Sequence, residues 1–184
     1  MQISEERYEQ IALADPEGHW ELDCGRLRSK PDMTTAHNQI ATTLGYRLMQ
    51  QLNPSDFAVR INMGRVRRSP NRAYIPDVMV IPAALVQRAI HEHPHGLEAY
   101  SEPLPLVVEV WSPSTGRYDI DRKLPQYQQR GDLEIWRIHP SDRMLTAWCR
   151  QPDGSYTETV IRGGVVQPIA LPGISIDLDA LFDL

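Results

Sequence analysis

The chain reads as an α/β domain with a mixed β-sheet core flanked by helices and an added β-hairpin. Three observations predict this. Short apolar runs rich in Val and Ile, bounded by turn residues, alternate with segments of helical period. The densest run, Pro105-Leu-Val-Val-Glu-Val-Trp-Ser-Pro-Ser114, suits a strand covered on both faces. Near the C-terminal end, Met144–Arg150 and Ser155–Ile161 flank Pro152-Asp-Gly154, the pattern of a hairpin.

Length fits one domain over 1–184, and 41% hydrophobic residues suffice for a core. The formal net charge of −5 argues against a globally basic nucleic-acid binder but leaves room for a local basic patch. Cys24 and Cys149 stand far apart in unrelated contexts, which fits free thiols in a reducing compartment. The N-terminus lacks the apolar segment of a secretion signal, and no apolar run approaches a membrane span. The expectation is a cytoplasmic protein with no membrane partner.

Taken in order, Ser4 caps a helix over Glu5–Ala14. Two short strands follow within His19–Arg28, around a turn at Asp23–Gly25. The caps in Pro31-Asp-Met-Thr-Thr35 open a long helix to about Leu52, with Ile40, Leu44, Leu48 and Leu52 recurring every four residues. His37 lies in its first turn and reads as a partly buried structural histidine. Phe57–Asn62 alternates as a strand. Between Arg60 and Arg72 stand five arginines and no acid. This is either a phosphate-binding segment, with Arg65, Arg67, Arg68 and Arg72 as its contacts, or a solvated hairpin with a basic rim.

Asp77 follows Pro76 and opens the apolar strand Val78–Ile81, after which a short helix covers Ala83 to about Ile90. His91, His93 and His95 crowd a loop interrupted by Pro94. They lack the paired spacing of a structural zinc site, so they read as solvated. After the Glu109 strand comes a loop, Ser112–Tyr118. A helix follows with Asp119 and Asp121 as caps and Gly131 as its stop. Because Pro125 is tolerated only in a first turn, this helix should start near Asp121 or Arg122. Leu133–His139 is a further strand, and Asp177–Leu184 a short closing helix or turn. The total is about four helices and seven or eight strands in one sheet.

A charge inside an apolar strand is costly unless it is paired or binds a metal. Glu109 alone is therefore as well explained by a local partner as by a ligand role. Asp77 and Glu109 on neighbouring strands could together hold Mg²⁺ or Mn²⁺, hard cations that take oxygen ligands. Lys123, in the helix after the Glu109 strand, could then stabilise charge developing on phosphorus.

The order Pro76-Asp77, Glu109-Val-Trp-Ser-Pro-Ser114, Asp119-x-x-x-Lys123-x-x-x-Tyr127 and Gly131-x-Leu-Glu-Ile-Trp136 resembles the Uma-type family of restriction-endonuclease-like proteins, within the PD-(D/E)XK nuclease superfamily. The resemblance covers nearly the whole chain. It implies a restriction-endonuclease-like core and a metal-dependent phosphodiesterase site, with Asp77 and Glu109 as metal ligands. It also implies that Lys123 is catalytic and that Glu21, an acid placed early as in the family, joins the site. The superfamily's usual lysine, two residues beyond the acid, is replaced here by Trp111. Tyr127 reads as packing. The function expected is Mg²⁺- or Mn²⁺-dependent endonucleolytic cleavage of DNA, with DNA a transient partner and a homodimer suited to cutting both strands. The alternatives are a nuclease-fold binding or interaction protein with weak or no catalysis, and a plain α/β domain whose acids are locally satisfied.

Overall fold

The computed structural model describes residues 2–183. Ser4 accepts the amide of Arg7 and starts α1 (Glu5–Ala14), as its sequence dictates. Two strands, β1 (Trp20–Asp23) and β2 (Arg26–Ser29), form the hairpin that follows. Thr34 accepts the amide of His37 and starts α2 (Thr35–Gln51). The chain continues through β3 (Phe57–Ile61), β4 (Arg65–Ser69), β5 (Arg72–Tyr74) and β6 (Val78–Pro82) to α3 (Ala83–Glu92). Next come β7 (Ala99–Tyr100), β8 (Leu106–Val110), the turn-long α4 (Gly116–Tyr118), a wide helical turn Asp119–Lys123, and α5 (Leu124–Arg130). The last elements are β9 (Glu134–His139), β10 (Met144–Arg150), β11 (Tyr156–Ile161), β12 (Val165–Val166), β13 (Ile176–Asp177) and α6 (Leu178–Phe182). The predicted closing helix reaches Leu184, which lies outside the described residues.

Among the described residues the strands form two large sheets and a short antiparallel ribbon, β12-β13, rather than one sheet. A mixed six-stranded sheet runs β11-β10-β9-β8-β6-β3, with β8 and β9 parallel and every other pair antiparallel. A second sheet runs β2-β1-β5-β4-β7. Pro76 lies between β5 of one sheet and β6 of the other. Proline has no amide to give a ladder, so it suits this passage. The second sheet escaped the sequence because its strands are short and half polar. β5 meets β1 through a single register pair, Leu22 with Ala73.

β8 is buried at every position, and its alternation sorts the core. Leu106, Val108 and Val110 join Ile40, Leu44 and Leu48 of α2 in one cluster. Val107 points to the other face, with Met79, Ile81, Tyr127 and Ile135. Glu109 shares Val107's parity, so its carboxylate is directed at the face that α5 covers. No helix among the described residues is long and apolar enough to cross a membrane.

Candidate functional site

Asp77 and Glu109 meet where β6 and β8 run out of their ladder. One step beyond the pair Val78–Val108, the amide of Asp77 donates to the carbonyl of Val108 at 3.1 Å. The Asp77 carboxylate in turn accepts the amide of Val110 at 2.6 Å. Asp77 thus bonds both chain neighbours of Glu109, and the strand geometry sets the two acids side by side.

Lys123 arrives from the helical segment after β8. Helical backbone begins at Gly116, earlier than the proline suggested, because α4 leads straight into a turn in which the Leu124 amide bonds the Asp119 carbonyl five residues back. This π-type turn immediately precedes Pro125, whose missing amide leaves a gap in the ladder. It carries Asp119, Lys123 and Tyr127, spaced by four, onto one buried face. Asp119 is therefore a buried member of the site and not the helix cap that was expected. Gly131, at φ 83°, ends α5 as anticipated.

The lysine ammonium bridges the acids. Its Nζ lies 2.9 Å from Glu21 Oε1, 3.2 Å from Glu109 Oε1 and 3.7 Å from Asp119 Oδ1. Glu21 reaches it from β1 and is fixed by the amide of Ile75, 2.9 Å from the same oxygen. The Tyr127 hydroxyl donates to Glu109 as well, so Tyr127 is a site residue and not merely packing. On the other side, Lys30 Nζ lies 2.7 Å from Asp77 Oδ1 and His37 Nε2 lies 2.9 Å from Oδ2. All four sequence-predicted site residues, Glu21, Asp77, Glu109 and Lys123, converge, and each is at most 5% exposed.

Sequence reading missed Lys30, His37, Asp119 and Tyr127. A signal existed for two of them, since Asp119 and Tyr127 lie one turn either side of Lys123. Nothing local announces Lys30 or His37, whose partner is 40 or more residues away. Trp111, in the place of the usual lysine, packs its ring on His139 with centroids 4.1 Å apart. A Cβ on Gly116 would collide with the Trp111 indole. The indole is thus the floor on which the Lys123-bearing segment starts, which links the missing strand lysine to its helical replacement.

The arginine-rich segment behaves differently from the acids. Arg65 Nε donates to the Tyr8 hydroxyl at 2.8 Å, Arg67 pairs with Glu5 at 2.7 Å, and Arg72 bonds Cys24 Sγ at 3.0 Å. Arg68 alone of the four is exposed. Both cysteines are free, and His91, His93 and His95 are exposed.

Burial, opposite charge and like charge set the site's protonation. Burial alone would raise Asp77, but Lys30 and His37 outweigh it and hold the carboxyl well below the usual carboxylate range. Burial dominates at Glu109. Lys123 pulls its pKa down, Asp119 and Asp77 push it up, and the net result is well above an ordinary glutamate. Asp119 is raised by its burial. Burial would lower Lys123, but Glu109, Glu21 and Asp119 prevail and keep it charged.

Could this centre hold a divalent cation? Among the described residues, no three His, Cys, Asp or Glu side chains already surround a common metal position. The donor set nevertheless fits. Asp77 and Glu109 supply hard oxygens on adjoining strands, and neither oxygen of the buried Asp119 has a hydrogen-bond partner among the described residues. Two ammonium groups, from Lys30 and Lys123, meet the positive-charge demand of these acids.

The family model Uma2, described as "Putative restriction endonuclease", matches residues 5–179. The chain belongs to this family. Among solved structures, the crystal structure of a putative nuclease from Anabaena variabilis superposes with a TM-score of 0.72 at 16% identity, covering 90% of each chain. At that identity the likeness establishes the shared fold, the restriction-endonuclease-like arrangement expected for Uma2 chains. No curated protein matches.

Proposed function

We propose that this Uma2 protein is a Mg²⁺- or Mn²⁺-dependent endonuclease hydrolysing DNA phosphodiester bonds. The observation that carries the reading is the convergence of Glu21, Asp77 and Glu109 with a buried, charged Lys123. Asp77 and Glu109 would hold the cation. When bound, it would lower the pKa of a coordinated water and offset charge on the scissile phosphate.

The chain's own residues do the rest. Lys123 is held charged by its acids, so its ammonium can stabilise the negative charge that grows on phosphorus. Glu21 fixes where that ammonium points, because Glu21 is itself tied to the Ile75 amide. Lys30 and His37 keep Asp77 ionised and hold its carboxylate against the Val110 amide. Cutting both strands would call for two copies, one centre per strand, and a homodimer is our expectation.

The test is nicking of supercoiled plasmid with Mg²⁺, with Mn²⁺ and with EDTA. Wild type should cut only with a divalent cation. Asp77→Ala and Lys123→Ala, purified in parallel, should fall to background. Equal cutting by all three proteins would assign the activity to another site or a contaminant. No cutting by wild type on double- or single-stranded DNA would favour a binding role.

A further inference from the structure

The catalytic acids are almost fully buried, so a phosphodiester has to reach them through some wall of the protein. The β1–β2 hairpin shows which. Its register pairs Glu21 with Arg28, Leu22 with Leu27 and Asp23 with Arg26. Side chains alternate along a strand, so Leu22 and Leu27 share one face, packed with Tyr8 and Ala12 of α1. Glu21, Asp23, Arg26 and Arg28 share the other. This second face begins at the Lys123 centre and runs outward to solvent.

Beside it opens a cleft of about 540 Å³, with Asp23, Arg26, Arg28, Tyr118 and Arg122 in its walls. Tyr118 and Arg122 each precede a residue of the centre, Asp119 and Lys123. The Tyr118 ring centroid lies 5.9 Å from Lys123 Nζ. The Arg28 guanidinium carbon lies over that ring, 3.5 Å from its centroid, and the Tyr118 hydroxyl is buried without a hydrogen-bond partner among the described residues. Neither Arg26 nor Arg28 has a carboxylate partner among the described residues. Asp23, the one acid in the walls, is already engaged. It accepts the Tyr74 hydroxyl at 2.9 Å and lies 3.7 Å from Arg122 and 3.9 Å from Arg72.

We propose that this cleft seats the DNA backbone next to the scissile phosphate, with Arg26, Arg28 and Arg122 as its phosphate contacts. The proposal rests on the nuclease reading and deepens it. Arginine suits the task because its planar fork matches phosphate oxygens. The cleft takes the role that sequence reading gave to Arg65, Arg67, Arg68 and Arg72, three of which the fold engages internally. On substrate entry Arg28 leaves the Tyr118 ring for a phosphate, which uncovers the route to Lys123.

The test is fluorescence anisotropy of a labelled DNA duplex in EDTA across a salt series. It compares wild type, Arg26→Ala/Arg28→Ala/Arg122→Ala, the corresponding triple lysine variant, and Arg65→Ala/Arg67→Ala/Arg68→Ala. Each phosphate contact contributes about 0.9 to the slope of log K against log salt. The cleft alanine variant should lose about 2 to 3 of that slope and bind at least about tenfold more weakly. The lysine variant should keep the slope, which separates lost charge from lost folding. The Arg65 set should keep most of it. An unchanged slope in the cleft alanine variant overturns the proposal, as does a wild-type slope near zero. Tighter binding of RNA of the same sequence would overturn the DNA assignment. If wild type nicks plasmid but the cleft variant keeps its slope, the cleft fails and the nuclease reading stands. If the cleft binds DNA and wild type never nicks, the reverse holds.

Discussion

Replacing Lys123 with methionine is expected to destabilise the protein by about 3–5 kcal/mol at neutral pH, because it leaves buried charges without their cation. For a chain of this size that is a fall in Tm of roughly 6–20 °C. Methionine matches the length of the stem, so a cavity is not the main cost. What is lost is the group that lies 2.9 Å from Glu21, 3.2 Å from Glu109 and 3.7 Å from Asp119.

The pH dependence follows from the direction of each shift. The pKa of Lys123 is raised above 10.5 in the folded state, so its stabilisation is complete below that value and lost only above it. Across pH 5–9 the wild type therefore has its full benefit. The variant should recover stability as pH falls, because Glu109 and Asp119 already favour their protonated forms. Added Mg²⁺ should also restore part of the loss, since a divalent cation can replace the missing ammonium. Thermal melts at pH 5 and pH 8, with and without Mg²⁺, check this. A variant that melts within about 2 °C of wild type at pH 8 would contradict the electrostatic account of the centre.

Asp77→Asn should lower plasmid-nicking activity by about 10³-fold or more, which corresponds to about 4 kcal/mol of transition-state stabilisation. The amide is isosteric and can still accept the Val110 amide, so the junction of β6 and β8 should survive. The negative charge is lost, however, and with it a hard ligand and the anion 2.7 Å from Lys30. His37→Asn should cost less, about 10–100-fold, because His37 acts through Asp77. Its loss should fall mainly in metal affinity and be relieved by excess Mn²⁺. Nicking rates against Mn²⁺ concentration measure both. Equal losses in the two variants, unrelieved by metal, would mean that His37 is needed for folding and does not merely position Asp77.

The acids of the site were legible because each breaks a pattern. Glu109 interrupts an apolar strand, and Asp77 follows a proline at the mouth of another. What placed Lys123 is a wide turn in front of Pro125, and sequence rules describe regular helices better than π turns. The same turn made Asp119 read as a cap, since acids ahead of a helical pattern usually are. The spacing Asp119, Lys123, Tyr127 held the missing information and shows that a four-residue repeat of polar groups can mark a buried face. The arginine segment, read as either phosphate contacts or a solvated rim, shows the opposite limit. Its charge density was plain, but the partners Tyr8 and Glu5 lie in a helix about 60 residues earlier, where no local pattern points. The second sheet was illegible because its ladders are only a few residues long.

Calorimetric titration of the metal-stripped protein with Mn²⁺ tests the account most directly, because it needs no knowledge of the substrate and is blind to contaminating nucleases. Glu109 holds its proton well above the ordinary value of 4.5, so a cation has to displace that proton. Affinity should therefore rise as pH rises above 4.5 and level off once Glu109 is ionised, with protons released on binding. Titrations in buffers of different ionisation enthalpy count those protons. Wild type is predicted to bind Mn²⁺ with this pH dependence, and Asp77→Asn and Glu109→Gln are predicted to lose the site. No binding by wild type, or the same binding in both variants, would contradict it.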